Sequence, residues 1–195
     1  VLPLTTEGNL NTYRLFAELA YHLIAVDGFA GMVVQTGMAT DESGKEFFAE
    51  VLSKGRLVQF LDFENRGNFF PDVHAQFRFA LLTLSGSDVQ RTTRAAQFGW
   101  LLHSLAELPE PERLVHLTSE DIALFNPSSG TCPVFQSERD LRINRQIYAH
   151  GRHISLDAER RFGEIDFLGE LFNMTRDSRH FESQPESEVE YVPLY

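Results

Sequence analysis

The sequence predicts an α/β fold, and three observations support this prediction. Apolar residues recur every three to four positions between Leu10 and Val26, which is the spacing of an amphipathic helix. A short run rich in β-branched residues, Met32–Thr36, follows between two glycines and favours a buried strand. The 195 residues, of which 43% are hydrophobic and 23% charged, suffice for one folded domain with its own core.

The first predicted helix carries one apolar stripe, and the glycines Gly28 and Gly31 are expected to end it. We expect this stripe to be buried against the rest of the fold. Its members are Tyr13, Phe16, Leu19, Leu23 and Val26.

A second helix and a hairpin follow in the predicted order. Ser43 or Asp41 is the expected N-cap of a helix through Leu52, and Gly55 suits a left-handed turn at its C-terminus. Two apolar runs, Leu57–Phe63 and Phe77–Leu84, predict an antiparallel hairpin. The turn-rich segment 64–72 between them contains Phe69 and Phe70, which on residue type alone are core residues.

The later elements are shorter. The segment Ala95–Leu102 predicts a strand or a short helix, and the prolines at 109 and 111 interrupt it. Thr118 or Ser119 begins a helical turn, 126–133 is expected to be irregular, and Ser137 begins a helix. That last helix carries Leu141, Ile143, Ile147 and Tyr148.

The charge balance excludes some classes of function. The formal net charge is -11, so the whole surface does not suit nucleic acid, and no apolar run is long enough to embed the chain in a membrane. The single cysteine, Cys132, permits no internal disulfide, and no secretory signal is visible, so we expect a cytoplasmic protein. Arginines are concentrated between Arg139 and Arg161. This basic stretch is either a phosphate-contacting helix or an ordinary solvated face.

Common catalytic motifs are absent from the sequence. Neither a Walker A loop nor Gly-x-Gly-x-x-Gly occurs, and no Glu-x-Lys pair of metal-dependent nucleases is present. His150 and His153 are three residues apart, but no carboxylate or cysteine completes a metal site with them. Cys132 is expected to be a buried thiol rather than a nucleophile. We therefore predict no catalytic residue and no metal ligand in this chain.

Several longer strings of residues occur in one order and together span nearly the whole chain. They are Tyr13–Phe16, Gly31–Asp41, Leu61–Asn65, Phe69–His74, Phe77–Leu82, Leu124–Phe135, Arg139–Asp140, and Phe172–Ser178 with Phe181. With these strings in this order the chain resembles the later half of the methyltransferase domain of adenine-specific DNA methylases, of the type II (type IIG-like) restriction–modification and phage-exclusion systems.

The resemblance implies a fold and a division of the chain. We expect part of a Rossmann-like class I methyltransferase sheet, mixed and ending in an antiparallel hairpin, with an α+β extension toward the target-recognition region. The expected regions are 8–88 for the methyltransferase half, 89–136 for the extension, and 137–195 for a helical linker and the start of target recognition. Both ends are expected to be truncated, since the family's cofactor loop and Asn/Asp-Pro-Pro-Tyr/Phe tetrapeptide precede the first helix.

The resemblance also implies roles for particular residues. Such enzymes flip the target adenine out of the duplex, and a Phe immediately before a Pro stacks on it, so Phe70 and Pro71 occupy the matching place, while Phe69 is expected to plug the core. Residues expected to shape the pocket are Gly37, Asp41, Asn65 and His74. Those expected to contact DNA phosphates are Arg139, Arg142 and Arg145.

The implied parent transfers a methyl group from S-adenosylmethionine to adenine in double-stranded DNA. We expect the chain alone to be inactive and to bind no cofactor, because the remainder of the methyltransferase domain would supply that site. The alternative is a non-catalytic remnant or interaction subunit that complements a separate methyltransferase chain.

Overall fold

A computed structural model describes residues 2–6, 10–89, 95–108 and 110–151. Within these residues, helices alternate with the first two strands, three further strands follow, and two helices come last. They are α1 (Thr12–Leu23), β1 (Phe29–Gln35), α2 (Gly37–Thr40), α3 (Lys45–Ser53), β2 (Leu57–Glu64), β3 (Arg78–Ser85), β4 (Ala96–Leu102), β5 (Leu114–Leu117), α4 (Ser119–Phe125) and α5 (Glu138–His150).

The five strands form one mixed sheet in the order β1-β3-β2-β4-β5. The strand β3 runs antiparallel to both β1 and β2, while β2 and β4 are parallel and β5 is antiparallel to β4. The predicted hairpin of β2 and β3 is confirmed. The chain therefore has an α/β architecture with a mixed sheet, compatible with a Rossmann-like fold.

The main hydrophobic core lies between the helices and one face of the sheet. Its large buried members include Phe47 and Phe48 of α3, Phe60 of β2 and Trp100 of β4, together with residues of α1, α4 and α5. The opposite face carries a smaller cluster around Leu61, Phe63 and Leu102. The described helices thus cover one face far more completely than the other.

The predicted orientation of α1 is wrong. Its buried residues are Arg14, Ala17, Glu18 and Tyr21, whereas the predicted stripe is largely exposed. The exposed fractions are 66% for Phe16, 40% for Leu19, 73% for Leu23 and 57% for Val26, while Tyr13 is partly buried. The buried face combines core packing by Ala17 and Tyr21 with polar contacts, because the Glu18 carboxylate accepts hydrogen bonds from the Thr5 hydroxyl (2.6 Å) and the Leu4 amide (3.0 Å).

The strand β1 also differs from its prediction. It begins at Phe29 and contains Gly31, which we expected to end the preceding helix, and it forms an edge of the sheet instead of a buried strand. The α3 cap differs as well, because a short 3₁₀ turn, Glu42–Gly44, precedes the helix and Gly44 is its N-cap. The segment 95–102, left open between strand and helix, contains β4.

Other local predictions are confirmed. Gly55 has a φ of 67°, the left-handed conformation that lets α3 turn directly into β2. Thr118 and Asp121 form a reciprocal capping box at the start of α4. The Ser137 hydroxyl accepts a hydrogen bond from the Asp140 amide and so caps α5.

Candidate functional site

The proposed pocket residues lie at the edge of the sheet where β1 and β2 end. The register joins Gln35 of β1 to Phe79 of β3, and Phe79 to Phe63 of β2. Gly37 and Asp41 follow β1, and Asn65 follows β2, so β3 alone separates the two groups in the sheet. In α/β sheets, the carboxyl ends of parallel strands are the usual place for ligands.

Asn65 fixes the backbone of the loop that joins β2 to β3. Its side chain is 3% exposed. The Nδ2 group donates to the carbonyl oxygens of Phe70 (2.9 Å) and Val73 (2.6 Å), and Oδ1 accepts from the Phe70 amide (2.9 Å). One buried amide therefore satisfies both backbone groups of Phe70 and fixes the backbone position from which its ring projects.

The two adjacent phenylalanines of this loop have different surroundings. Phe69 is partly buried and packs its ring edge-to-face against Phe63 and Phe79, at centroid distances of 5.4 Å. Phe70 touches the edge of the cluster through Phe79, 5.0 Å away, but remains 42% exposed. Phe69 thus contributes to the core, as expected, while Phe70 presents part of its ring to solvent.

A buried carboxylate, Asp62, ties together four strand ends beneath this loop. It accepts hydrogen bonds from the Thr36 hydroxyl (2.5 Å), the Leu101 amide (3.0 Å) and the guanidinium of Arg78. The residue is fully buried, so these donors replace the water that a charged carboxylate requires. The network links β2 to β3, to β4 and to the residue after β1.

The Leu101 amide reaches Asp62 because β4 contains a bulge. Leu61 pairs with Gly99 and Phe63 pairs with Leu102, so β4 carries one extra residue between these pairs. That residue, Leu101, has a φ of 54°, which is uncommon for a side chain other than glycine. The bulge also moves the Leu102 side chain to the face occupied by Phe63.

A second polar group fastens the loop to the end of β4. Glu64 contacts both the Arg66 guanidinium (Nε, 2.9 Å) and the imidazole of His103 (Nε2, 3.0 Å). Gly67 lies so close to this segment that a Cβ atom there would be 2.1 Å from the His103 carbonyl oxygen. Only glycine therefore fits at position 67 without moving the backbone of β4's end.

Gly37 and Asp41 contact each other beside α1. A Cβ atom on Gly37 would lie 2.2 Å from Asp41 Oδ2. Asp41 also pairs with Arg14, whose Nη2 lies 3.7 Å away and whose side chain is 3% exposed. Arg14 Nε lies 3.1 Å from the Tyr13 hydroxyl. The turn after β1 is thus closely packed and carries a charge pair.

Pro71 and His74 are both exposed in the β2–β3 loop. The His74 imidazole accepts a hydrogen bond from the Gln76 amide at 3.2 Å through Nδ1. These contacts stabilise the turn that leads into β3. They leave the outer surface of the loop, next to Phe70, accessible.

The three arginines on α5 have two kinds of environment. Arg139 and Arg142 are exposed. Arg145 instead forms a bidentate ion pair with Asp121 of α4, with both N–O distances 2.7 Å, and donates to the His116 carbonyl. Burial raises the pKa of Asp121, but hydrogen bonds from Arg145 and from the Thr118 backbone outweigh it, and the pKa is lowered.

Among the described residues, no contact supports a catalytic or metal-binding role for Cys132 or His150. Burial raises the pKa of the Cys132 thiol well above its usual value, which fits a buried structural thiol. Among the described residues no group of three potential metal ligands occurs. His153, with the predicted recognition region beyond Gly151, lies outside the described residues. Within the same limits, no helix is both long and apolar enough to cross a membrane.

Sequence reasoning missed two residues that organise this site. Asp62 is a charged residue inside the apolar strand 57–63, and that position is itself a signal that it has buried partners. Arg14 is not part of the predicted apolar stripe, yet it lies on the buried face of α1. Comparison with known proteins gives no further identification, because no family model and no curated protein matches the chain.

Proposed function

We propose that this chain is the target-base side of an adenine-specific DNA methyltransferase, of the restriction–modification or phage-defence class that its sequence resembles. In this role Phe70 stacks on the adenine that the enzyme extrudes from the duplex. The cofactor and the catalytic tetrapeptide belong to another part of the enzyme. The chain alone then transfers no methyl group.

The observation that carries this proposal is the presentation of Phe70. An aromatic ring that is half exposed at the sheet edge, with its backbone held by a buried amide, offers a fixed flat surface to a base. Fixing the ring before binding lowers the entropy cost of stacking. Pro71 restricts the backbone directly after the ring.

The fold supports the same proposal in a coarser way. The resemblance implies a mixed sheet that ends in a reversed hairpin, and β2 with β3 is such a hairpin in a mixed sheet. The described strands β1, β2 and β4 place their C-terminal ends toward the Phe70 loop or beside it. Arg139 and Arg142, exposed on α5, are available for phosphate contacts, whereas Arg145 is engaged by Asp121.

The residues of this chain do not fit the cofactor. S-adenosylmethionine carries a carboxylate, and the glycine closest to the end of β1, Gly37, lies against the carboxylate of Asp41. A cofactor carboxylate placed beside Gly37 would therefore meet a like charge. We therefore assign no residue here to the cofactor and expect no heat of binding when the chain is titrated with it.

Binding to an extruded base tests the proposal directly. The probe is a duplex with 2-aminopurine opposite an abasic site, and the signal is fluorescence anisotropy and quenching. Because stacking contributes about 1–3 kcal/mol per base, we expect Phe70→Ala to weaken binding by roughly 5- to 150-fold. Phe70→Trp should retain binding.

Phe77 supplies the matched control, since it is a phenylalanine of the same loop and is 63% exposed. Phe77→Ala should bind the probe as the unchanged chain does. If Phe70→Ala and Phe77→Ala bind equally well, Phe70 does not hold the base and the proposed role is wrong.

The second candidate, a non-catalytic interaction subunit, is favoured by the exposed apolar surface of α1 and β1. It differs from the first in one outcome. Such a subunit would complement a separate methyltransferase chain without contacting the target base, so Phe70→Ala would leave the methylation by that complex unchanged.

A further inference from the structure

The last residue of β1, Gln35, lies on the same face of the sheet as the cluster that Phe70 touches. Along β1 the exposed positions alternate with inward-facing ones, and Val34 is buried in the main core. Successive side chains of a strand point to opposite faces of the sheet. Gln35 therefore projects from the face that carries the smaller cluster, which includes Phe79.

The register of the sheet places Gln35 directly beside Phe79. The two residues are opposite each other in the antiparallel pair of β1 and β3. The Cβ atoms of such a pair are about 5 Å apart. Phe79 also contacts the ring of Phe70, with 5.0 Å between the centroids. Phe79 is thus a neighbour of both Gln35 and Phe70.

The ring contacts indicate on which side of Phe79 the Phe70 ring lies. Phe63 of β2 stacks against Phe79 at 5.5 Å, and Phe69 contacts both of these rings. Among the described residues, Phe70 has a ring contact with Phe79 only. Phe63 and Phe69 therefore fill the side of Phe79 toward β2. This leaves the side toward β1, where Gln35 lies, for Phe70 and for a base stacked on it.

A free carboxamide at this position suits one base in particular. The Hoogsteen edge of adenine has an N6–H donor next to the N7 acceptor, and a glutamine side chain pairs with both at once. Guanine has two acceptors at that edge, and the pyrimidines have no N7. The carboxamide of Asn65 is already engaged by the loop backbone. That of Gln35 makes no hydrogen bond among the described residues.

We propose that Gln35 selects adenine among the bases that can stack on Phe70. Its Oε1 accepts a hydrogen bond from the adenine N6 amine, and its Nε2 donates one to N7. This inference rests on the proposed function and adds base selection to it. Phe70 contributes affinity for any flat base, whereas Gln35 contributes preference for one of them. The two contributions can be measured separately.

Competition against the 2-aminopurine duplex measures this preference in the full chain. The competing duplexes carry adenine, 7-deazaadenine, unsubstituted purine or guanine opposite the abasic site. 7-Deazaadenine lacks the N7 acceptor, and purine lacks the N6 amine. A bidentate pair contributes enough discrimination that adenine should compete roughly fivefold or more better than each of the other three bases. Gln35→Leu should remove this preference, so that the four duplexes compete about equally.

Two further variants separate base reading from a general effect on the fold. Gln76→Leu is the matched control, because Gln76 is an exposed glutamine of the Phe70 loop, and it should retain the preference for adenine. Gln35→Glu keeps the acceptor for N6 but loses the donor to N7, so it should no longer favour adenine over 7-deazaadenine. Circular dichroism verifies folding, which is expected because both positions are exposed.

Two results would overturn the base selection. The first is that the unchanged chain binds the four bases equally well, and the second is that Gln35→Leu keeps the preference for adenine. If binding still depends on Phe70 in either case, the proposed stacking role stands and only the role of Gln35 is refuted. If Gln35→Leu abolishes the preference while Phe70→Ala binds normally, Gln35 reads the base and the stacking role is refuted. A chain that binds none of the duplexes refutes both.

Discussion

Replacing Asn65 with alanine should release the loop that carries Phe70. The substitution removes three hydrogen bonds, two donated to carbonyl oxygens and one accepted from the Phe70 amide. A protein hydrogen bond contributes about 1 kcal/mol net, so the upper value is about 3 kcal/mol. Since Phe70 and Val73 are 42% and 43% exposed, water replaces part of the loss, and we expect about 2 kcal/mol.

Urea unfolding measures this loss, and the single tryptophan, Trp100, reports it from the core. The midpoint should fall while the dependence of the unfolding free energy on urea stays the same, since the exposed area hardly changes. Asn65→Asp should destabilise the fold at least as much, because it keeps the acceptor but turns a carboxylate oxygen toward two carbonyls.

Asn144 provides the matched control, since its amide makes one hydrogen bond to the Asp140 carbonyl on the surface of α5. Asn144→Ala should cost less than about 0.5 kcal/mol. If Asn65→Ala costs no more than this control, the amide does not hold the loop. The account of how Phe70 is positioned would then be wrong.

Three further predictions concern the base, the ion pair and the bulge. In the complete enzyme, Phe70→Ala should reduce turnover on a fully paired duplex more than on one with a mismatched target adenine, because a mismatch lowers the cost of extrusion; equal losses would contradict the stacking role. The lowered pKa of Asp121 means that its ion pair with Arg145 stabilises the fold above the ordinary carboxyl pKa of about 4 and is lost as the pH falls through the lower folded value. The difference in thermal stability between the unchanged chain and Asp121→Asn should accordingly shrink between about pH 5 and pH 2, and a constant difference would refute the assignment. At the bulge, Leu101→Val should lower the free energy of unfolding by about 1–2 kcal/mol, because a β-branched side chain is poorly tolerated at positive φ; urea unfolding that leaves the midpoint unchanged would contradict the strain.

The hairpin and the caps of α4 and α5 could be predicted because their signals are local. Gly55, Thr118 and Ser137 each act through hydrogen bonds or backbone angles within a few residues. The strand β2 follows α3 after one tight turn, and the apolar runs on either side of the Phe70 loop have the lengths of strands. Such features depend little on the rest of the fold.

The orientation of α1 could not be predicted, because helical spacing alone does not say which apolar face the described fold covers. The exposed stripe is more apolar than the buried face, which contains Arg14 and Glu18. Those two residues are buried through partners elsewhere in the chain, Asp41 and Thr5. A pattern within one helix carries no information about such partners.

The role of Phe70 stays a prediction, and the contacts that hold its loop could not be predicted from the sequence. The resemblance pointed to Phe70 and Asn65, but only the structure shows that the amide of one holds the backbone of the other. Asp62 and the bulge at Leu101 act across strands that are far apart in sequence. Contacts of this kind depend on sheet register, which the sequence pattern leaves undetermined.

The order of strands in the sheet also has a consequence for how quickly its parts can assemble. Thirteen residues lie between β2 and β3, whereas more than forty lie between β1 and β3. Closing a longer loop costs more entropy, so the hairpin of β2 and β3 should form first. Among the described strands, β1 pairs only with β3. It can therefore join the sheet only after the hairpin of β2 and β3 has formed. The β1 edge has no charged residue and no proline to hinder pairing with another chain. It is thus the last part of the sheet to be fixed, and the newly made chain is most exposed to aggregation there.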